Sequence, residues 1–228
     1  MLILNNVSKF YQKNAVLNNV TYHFDCLKYC IVGPNGIGKT TLLMLAAGLE
    51  DFNCGEIVFN EESVYLADTK RHLGISSDKI KLPDFLTAQQ LLDFYCSQHH
   101  CPFPIVLIEH LGFRAQLATQ VSALSLGSLK KISLLLALAH QPKCLLLDEP
   151  TNNLDINTIR WLENILNSRN STMIIISHDR HFLNQVCTHT ADMDYMKLTV
   201  YPGNYDDFME ASTLVKAQQL KANDKAKQ

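Results

Sequence analysis

The segment that most constrains this chain is glycine-rich and reads Gly33-Pro34-Asn35-Gly36-Ile37-Gly38-Lys39-Thr40-Thr41. It matches G-x-x-x-x-G-K-[ST], the pattern of a phosphate-binding loop between a strand and a helix. The apolar residues 29–32 predict the strand, and the leucine spacing in residues 40–49 predicts the helix. Because inward-facing backbone amides and a helix N-terminus attract anions, the loop predicts phosphate binding, with Lys39 reaching the terminal phosphates and Thr40 holding Mg²⁺.

A second informative segment is acidic: it follows four apolar residues and reads Asp148-Glu149-Pro150. The apolar run is typical of a buried parallel strand, and α/β sheets bind ligands beyond the carboxyl ends of such strands. Asp148 is therefore expected to share the Mg²⁺ with Thr40, and Glu149 to orient or deprotonate a water molecule. The alternative is an ordinary turn, since Asp-Glu-Pro is also good turn chemistry.

Composition limits the remaining possibilities. The chain has 228 residues, of which 47% are hydrophobic, enough for the core of one domain with or without a subdomain. Its net charge of -2 predicts no DNA partner. No apolar run approaches the roughly 18 residues of a membrane span, and residues 1–5 lack the pattern of a signal peptide. We therefore expect a cytoplasmic protein.

The other elements indicate an α/β fold. Residues 2–11 and 15–24 alternate apolar and polar side chains, which predicts antiparallel strands in front of the loop. Further strands are predicted at residues 55–59, 73–76 and 172–176, and helices at residues 105–111, 129–139 and 157–167. A capping-box pattern at Thr87 predicts one more helix start. The middle third is thus helical, whereas strands and helices alternate on both sides of it.

Two aromatic side chains stand where strands end. His178 follows the strand 172–176, so it is expected at the same sheet edge as Asp148. Tyr11 ends the first strand and could stack on a purine. On position alone, packing is the commoner role for such a tyrosine, and a lone histidine is more often a satisfied core residue.

Together these segments resemble the motifs of the ATP-binding cassette (ABC) ATPases, in the family's order. Gly33 to Thr41 resembles Walker A, Leu124-Ser125-Leu126-Gly127-Ser128 the signature, residues 145–149 Walker B with its catalytic glutamate, Asn153-Leu154-Asp155 the D-loop, and His178 the switch histidine. The resemblance implies an ABC nucleotide-binding domain over residues 1–210, an α/β fold that combines a P-loop NTPase core, N-terminal antiparallel β strands and an inserted helical subdomain at about residues 77–140. It also implies the cofactors ATP and Mg²⁺.

The same resemblance implies the roles of residues that spacing alone does not assign. It makes Tyr11 the aromatic that stacks on adenine, and it gives Glu149 and His178 catalytic roles. It also implies a head-to-tail homodimer, or a pseudo-dimer with a second cassette, in which Ser125 and Gly127 face a γ-phosphate bound by the opposite subunit. Asp155 belongs to the same composite site.

Two positions depart from the family pattern. The signature usually reads Leu-Ser-Gly-Gly-Gln, and here Leu126 and Ser128 replace the first glycine and the glutamine. Alignment of residues 73–75 with the strand before the Q-loop puts Asp78 where Gln or Glu is expected. Asp78 is expected to approach Mg²⁺ through a water molecule, although its side chain is shorter.

The two halves resemble different branches of the family. Residues 1–140 look like the ATP-binding subunit of a membrane transporter. From Leu145 onwards the sequence resembles that of ABC-F proteins, a cytosolic branch of the family that includes translation factors. The residues that carry this second likeness are Asp148 to Asp155, Ser177 to Leu183 and Tyr201-Pro202-Gly203-Asn204-Tyr205. Residues 211–228 are expected to form a charged helical tail, either solvated or in contact with ribosomal RNA.

Three functions therefore follow from the sequence. The main prediction is an ABC-type ATPase that energises a membrane-embedded transporter subunit, peripheral on the inner face of the membrane. The first alternative is an ABC-F protein bound to the ribosome, or a fragment or chimera of one. The second is an ATP-gated switch with little turnover, because the signature is altered.

Overall fold

The computed structural model of the protein describes residues 1–12 and 14–213. The strands are β1 (Leu2–Tyr11), β2 (Asn14–Phe24), β3 (Lys28–Val32), β4 (Cys54–Phe59), β5 (Glu62–Ser63), β6 (Leu73–Ser76), β7 (Cys144–Asp148), β8 (Thr172–Ile176), β9 (His189–Asp194) and β10 (Lys197–Pro202). The helices are α1 (Lys39–Ala46), α2 (Ala67–Lys70), α3 (Ala88–His99), α4 (Ile105–His110), α5 (Leu126–Ala139), α6 (Ile156–Ser168) and α7 (Arg180–Val186). Residues 205–213 are also helical.

The central sheet has the strand order β10-β9-β3-β8-β7-β6. Its strands pair in parallel except at the edge, where β10 is antiparallel to β9. All five side chains of β7 and of β8 are buried, as expected for a sheet covered on both faces. Because β3, β7 and β8 run the same way, the segments that follow Val32, Asp148 and Ile176 emerge at one edge.

The N-terminal strands form a separate antiparallel sheet with the order β2-β1-β4-β5. One buried cluster joins its inner face, from residues such as Leu4 and Phe24, to Leu42 of α1 and Ile174 of the central sheet. The predicted strand pair in front of the loop is therefore present. The α/β fold class expected from the sequence, with a P-loop core and N-terminal antiparallel strands, is confirmed.

The middle of the chain packs around its own apolar cluster. Leu92 of α3, Ile108 of α4 and Leu135 of α5 belong to it. The capping box at Thr87 is present, since its hydroxyl accepts from the Gln90 amide while the Gln90 side chain accepts from the Thr87 amide. This cluster is consistent with the predicted subdomain at residues 77–140, whose boundaries remain a prediction.

Some elements differ from the sequence expectation. Helix α5 begins at Leu126 rather than at residue 129, because Ser125 caps it by accepting from the Ser128 amide at 3.2 Å. The strands β9 and β10 and the short helix α7 had no prediction. Residues 214–228 of the expected charged tail lie outside the described residues. Within residues 1–12 and 14–213, no helix is long and apolar enough to cross a bilayer.

Candidate nucleotide-binding site

The glycine-rich loop runs from the end of β3 to the start of α1. Gly33 has φ +140°, and a Cβ atom there would lie 2.5 Å from the carbonyl oxygen of Met193, so both the backbone conformation and the space require glycine. The ammonium group of Lys39 donates to the carbonyl oxygens of Gly33 at 2.7 Å and Pro34 at 3.1 Å. The cation of the motif therefore lies over the loop, where a phosphate chain would run.

A cavity of about 440 Å³ opens beside this loop. Its lining combines four parts of the chain that the sequence analysis selected separately. The lining residues are Asn35, Gly36, Gly38, Lys39, Thr40, Thr41, Asp78, Lys79, Asp148, Glu149, Ile176 and His178. The parallel order of β3, β8 and β7 explains this convergence, since the loops that follow the strands share one edge.

Glu149 and His178 contact each other at the mouth of two neighbouring strands. His178 Nε2 lies 3.3 Å from Glu149 Oε1, and the His178 amide donates to Glu149 Oε2 at 3.2 Å. Glu149 has φ +48°, a left-handed conformation uncommon for this residue type, and its amide donates to the Ile176 carbonyl at 2.8 Å. The backbone of β8 thus holds Glu149 in a strained conformation that turns its side chain towards His178.

Burial controls the ionisation of these groups. Desolvation raises the pKa of Glu149, and electrostatic interactions with His178 and Lys130 oppose that shift. Desolvation also lowers the pKa of Lys39, against the attraction of Glu149 and Asp148. A carboxylate with a raised pKa is better suited to accept a proton than an ordinary surface glutamate.

The carboxylate of Asp148 is buried and accepts from the Ser77 hydroxyl at 2.8 Å. Asp78, the residue after Ser77, forms an ion pair with Lys130, with 2.5 Å between Asp78 Oδ1 and Lys130 Nζ. Both contacts come from the loop after β6. The position that alignment assigned to Asp78 therefore borders the cavity, as expected, but its carboxylate is engaged by a lysine.

Tyr11 lies near the loop without lining the cavity. Its hydroxyl donates to Glu50, and the Lys9 ammonium lies 4.7 Å from the centre of its ring. The residue is 44% exposed, and desolvation raises the pKa of its hydroxyl, whereas a hydrogen bond with Thr41 opposes that shift. Its predicted role in stacking on adenine stays a prediction.

The predicted signature and D-loop residues lie outside the cavity lining and contact each other. A Cβ atom on Gly127 would lie 2.7 Å from the carbonyl oxygen of Asn153, so the two segments pack backbone to backbone. Asp155 caps α6 by accepting from the Thr158 amide at 2.9 Å, and Lys131 lies 3.5 Å from its carboxylate. The hydrogen bonds with Thr158 lower the pKa of Asp155 to about 2.

Sequence reasoning missed two residues that border the site. Ser77 directly follows β6, and no local pattern marks its bond to Asp148. Lys130 carried a usable signal: it lies four residues before Leu134, on the buried face of a largely apolar helix. A charge at such a position requires a partner, which the sequence alone did not identify.

A phosphate-binding loop, an acidic strand end and a histidine at one edge of a parallel sheet define a P-loop ATPase domain. Residues 17–152 match the family model described as ABC transporter, and the chain belongs to that family. The chain is thus an ABC ATPase domain, a class whose members bind ATP.

Individual relatives agree with this family. The chain is 34% identical to the Probable ATP-binding protein YbiT of Escherichia coli O157:H7, across 100% of this chain and 49% of the relative. It is 30% identical to ABC transporter F family member 2 of Arabidopsis thaliana, across 94% of this chain and 38% of the relative. A dimeric ATP-binding cassette in a post-hydrolysis state, bound to ADP and Pi, has the same fold with a TM-score of 0.77 at 20% identity, over 89% of this chain and 98% of that one. The chain spans half or less of the length of these two curated relatives.

Proposed function

We propose that the chain binds MgATP and hydrolyses it at a site that a second cassette completes. The observation that carries this proposal is the cavity that the glycine-rich loop, Asp148, Glu149 and His178 line together. These groups supply phosphate binding, metal binding and activation of water in one place. The membership of the ABC family supports the same assignment.

The residues of the cavity fit the phosphates and a magnesium ion. The loop amides and Lys39 would bind the phosphate chain, and the N-terminus of α1 adds positive potential. The hydroxyl of Thr40 and the buried carboxylate of Asp148 are hard oxygen donors of the kind that Mg²⁺ prefers. When bound, the ion neutralises charge on the β- and γ-phosphates.

Glu149 is proposed as the group that orients the attacking water and accepts its proton. Its raised pKa and its position beside the loop support this role. The two contacts from His178 hold the carboxylate in one orientation, and the imidazole is proposed to contact the γ-phosphate. The protein thereby fixes the direction of attack before the nucleotide arrives.

A second cassette is proposed because part of the motif set lies outside the lining of the cavity. Ser125, Gly127 and Asp155 lie at the N-termini of α5 and α6, on an accessible surface. In a head-to-tail pair this surface would cover the nucleotide of the other subunit. The dimeric state of the cassette with ADP and Pi supports this arrangement for the fold.

The proposed partner is a membrane-embedded transporter subunit, which would hold the chain in the cytoplasm at the inner face of the membrane. The family description supports this assignment. The second candidate is an ABC-F role on the ribosome, supported by the likeness to ABC transporter F family member 2 over 94% of this chain. The third is an ATP-gated switch, supported by Leu126, whose side chain is 69% exposed where the family has glycine.

One experiment separates these candidates. A Glu149→Gln variant is loaded with MgATP in a cell extract and purified, and the bound material is identified. Membrane-protein subunits support the transporter, and ribosomes support the ABC-F role. The parent is assayed for ATP turnover with the same variant as the blank. Turnover at the level of the blank would favour the switch, and failure of both proteins to bind ATP would overturn the whole proposal.

A further inference from the structure

Lys130 is a buried charge beside the proposed nucleotide site. It belongs to α5, and its side chain is 1% exposed. Removing an ammonium group from water is costly unless charged or polar partners compensate for the lost hydration. The partners of Lys130 therefore indicate why a lysine occupies this position.

These partners come from two segments that line the cavity. The ammonium group lies 2.5 Å from the carboxylate of Asp78, on the loop after β6, and donates to the carbonyl oxygen of Asp148 at 3.3 Å. Asp78 is itself 62% exposed, so solvent reaches its carboxylate. Lys130 thus joins the α5 helix to the loop after β6 and to the end of β7.

The charges around the cavity give this contact a consequence for binding. Three carboxylates, Asp78, Asp148 and Glu149, line a space that must accept the polyanionic phosphate chain. Lys39 and Lys79 are the lysines among the lining residues. An unpaired carboxylate at position 78 would repel the phosphates at short range.

We propose that Lys130 is a positioning residue of the nucleotide site: it neutralises Asp78 and holds it against α5, which makes a carboxylate at this place compatible with MgATP binding. This inference rests on the proposed function, because it concerns the same cavity. It assigns Asp78 to an ion pair rather than to the metal. It also explains why a lysine, and not another leucine, lies on the buried face of α5.

A purely structural role makes a different prediction. Replacing a buried ion pair by apolar residues of similar volume is often neutral or stabilising, so packing alone does not require a charge here. If Lys130 served packing alone, its replacement would change thermal stability and leave the nucleotide affinity unchanged. If it acts on Asp78, the affinity changes, and removal of the Asp78 charge restores it.

The test uses the full chain with the variants Lys130→Met, Asp78→Asn and the double variant. The dissociation constant for MgATP is measured by titration calorimetry, KM and kcat by steady-state kinetics, and Tm by differential scanning calorimetry. We expect Lys130→Met to raise the dissociation constant and KM on the order of tenfold, with a smaller change in kcat. The double variant is expected to recover most of the lost affinity.

A matched control removes an equal charge elsewhere. Lys143 is exposed in the loop before β7, and Lys143→Met is expected to leave the nucleotide affinity as it is in the parent. An equal loss of affinity in this control would show that net charge, and not the Asp78 contact, matters. A Lys130→Met protein with a changed Tm and the parent's affinity would overturn the proposal in favour of packing.

Asp78→Asn alone keeps the proposal testable if Lys130→Met does not fold. Because it removes one negative charge from the lining, we expect MgATP to bind a few-fold more tightly. A tenfold loss of affinity would show instead that Asp78 contacts the metal, and would overturn the inference. Lys39→Ala is measured in parallel. If neither Lys39→Ala nor Asp78→Asn changes the affinity for MgATP, the proposed function fails. If only Lys39→Ala changes it, this inference is rejected and the proposed function stands.

Discussion

The cavity and the signature surface differ in how much of their chemistry lies within one chain. In the cavity, Lys39, Asp148, Glu149 and His178 converge from separate segments, and the two side chains proposed as catalytic, Glu149 and His178, contact each other. On the signature surface, defined here as residues 124–128 and 153–155, the polar groups serve their own helices. The Ser125 hydroxyl accepts from the Ser128 amide, and the Asp155 carboxylate accepts from Thr158.

This contrast indicates that one chain supplies the cavity by itself, whereas the signature surface would act only together with a second cassette. The cavity combines charged side chains of both signs from separate segments, whereas the signature surface has satisfied helix caps and one exposed leucine, Leu126. A partner that closes on this surface must compete with the hydrogen bonds that Ser125 and Asp155 already accept from their own helices. We therefore expect changes in the cavity to affect binding and chemistry directly, and changes on the signature surface to act on association and stability.

The largest effect is expected in the cavity, from Glu149→Gln. Glutamine keeps an oxygen that can accept from the His178 amide, but it is a poor proton acceptor. Turnover should fall on the order of a thousandfold, since general base catalysis contributes about 10²- to 10⁴-fold. Turnover is measured by phosphate release, and the ATP-bound variant is expected to dimerise in analytical ultracentrifugation.

The parent without nucleotide is the control for that association. A Glu149→Gln protein that remains monomeric at saturating ATP would contradict the composite site. Retained turnover would instead remove Glu149 from the chemistry.

The second effect sharpens the role of the loop. Lys39→Ala removes charge-assisted contacts to the phosphates worth about 1.5–3 kcal/mol, so the affinity for MgATP should fall about 10- to 150-fold. Calorimetric titration measures this change. Lys143→Ala, which removes an exposed lysine away from the cavity, is the matched control. Equal affinities for Lys39→Ala and the parent would refute the assignment of the loop.

The sequence predicted the cavity better than its surroundings for a physical reason. Glycines mark the loop, and an apolar run marks the strand that ends in Asp148. Because the carboxyl ends of parallel strands meet at one edge of a sheet, these local patterns suffice to predict that the two segments lie close together. The strand β9 has a mixed sequence, and it forms because His189 to Asp192 pair with β3. The contact between Lys130 and Asp78 joins segments that are far apart in the sequence, and no local pattern predicts such a pair.

The third effect moves to the signature surface. Restoring the family residues with Leu126→Gly and Ser128→Gln should raise turnover several-fold at high protein concentration, because a leucine side chain obstructs close approach of a second cassette. The cap at Ser125 should survive, since it uses the backbone amide of residue 128. The affinity of the monomer for ATP should change little. Turnover is measured as a function of protein concentration.

A matched control for this pair is Ile105→Gly, which also removes an exposed apolar side chain from the first position of a helix. It is expected to leave turnover at the parent's level. No gain from the restored signature would mean that association is not limited by Leu126, and would turn attention to the loop of Asp78.

The smallest effect is one of stability, and pH distinguishes its cause. Asp155→Ala removes the cap of α6, which should lower the free energy of unfolding by about 1 kcal/mol at neutral pH. Hydrogen bonds with Thr158 depress the pKa of Asp155 to about 2, below its ordinary value of 3.8, so the ionised cap contributes fully above pH 3.8 and its contribution declines as pH falls towards 2. Urea unfolding of the parent and the variant should therefore show a constant difference in the free energy of unfolding from pH 5 to 8 and a smaller difference below pH 4.

Asp155→Asn, which keeps an oxygen for the Thr158 amide without the charge, should lose less stability than Asp155→Ala. A difference that grows as the solution is acidified would show that Asp155 does not stabilise the fold through its ionised cap, and would leave its place on the signature surface to be explained by contact with a second cassette.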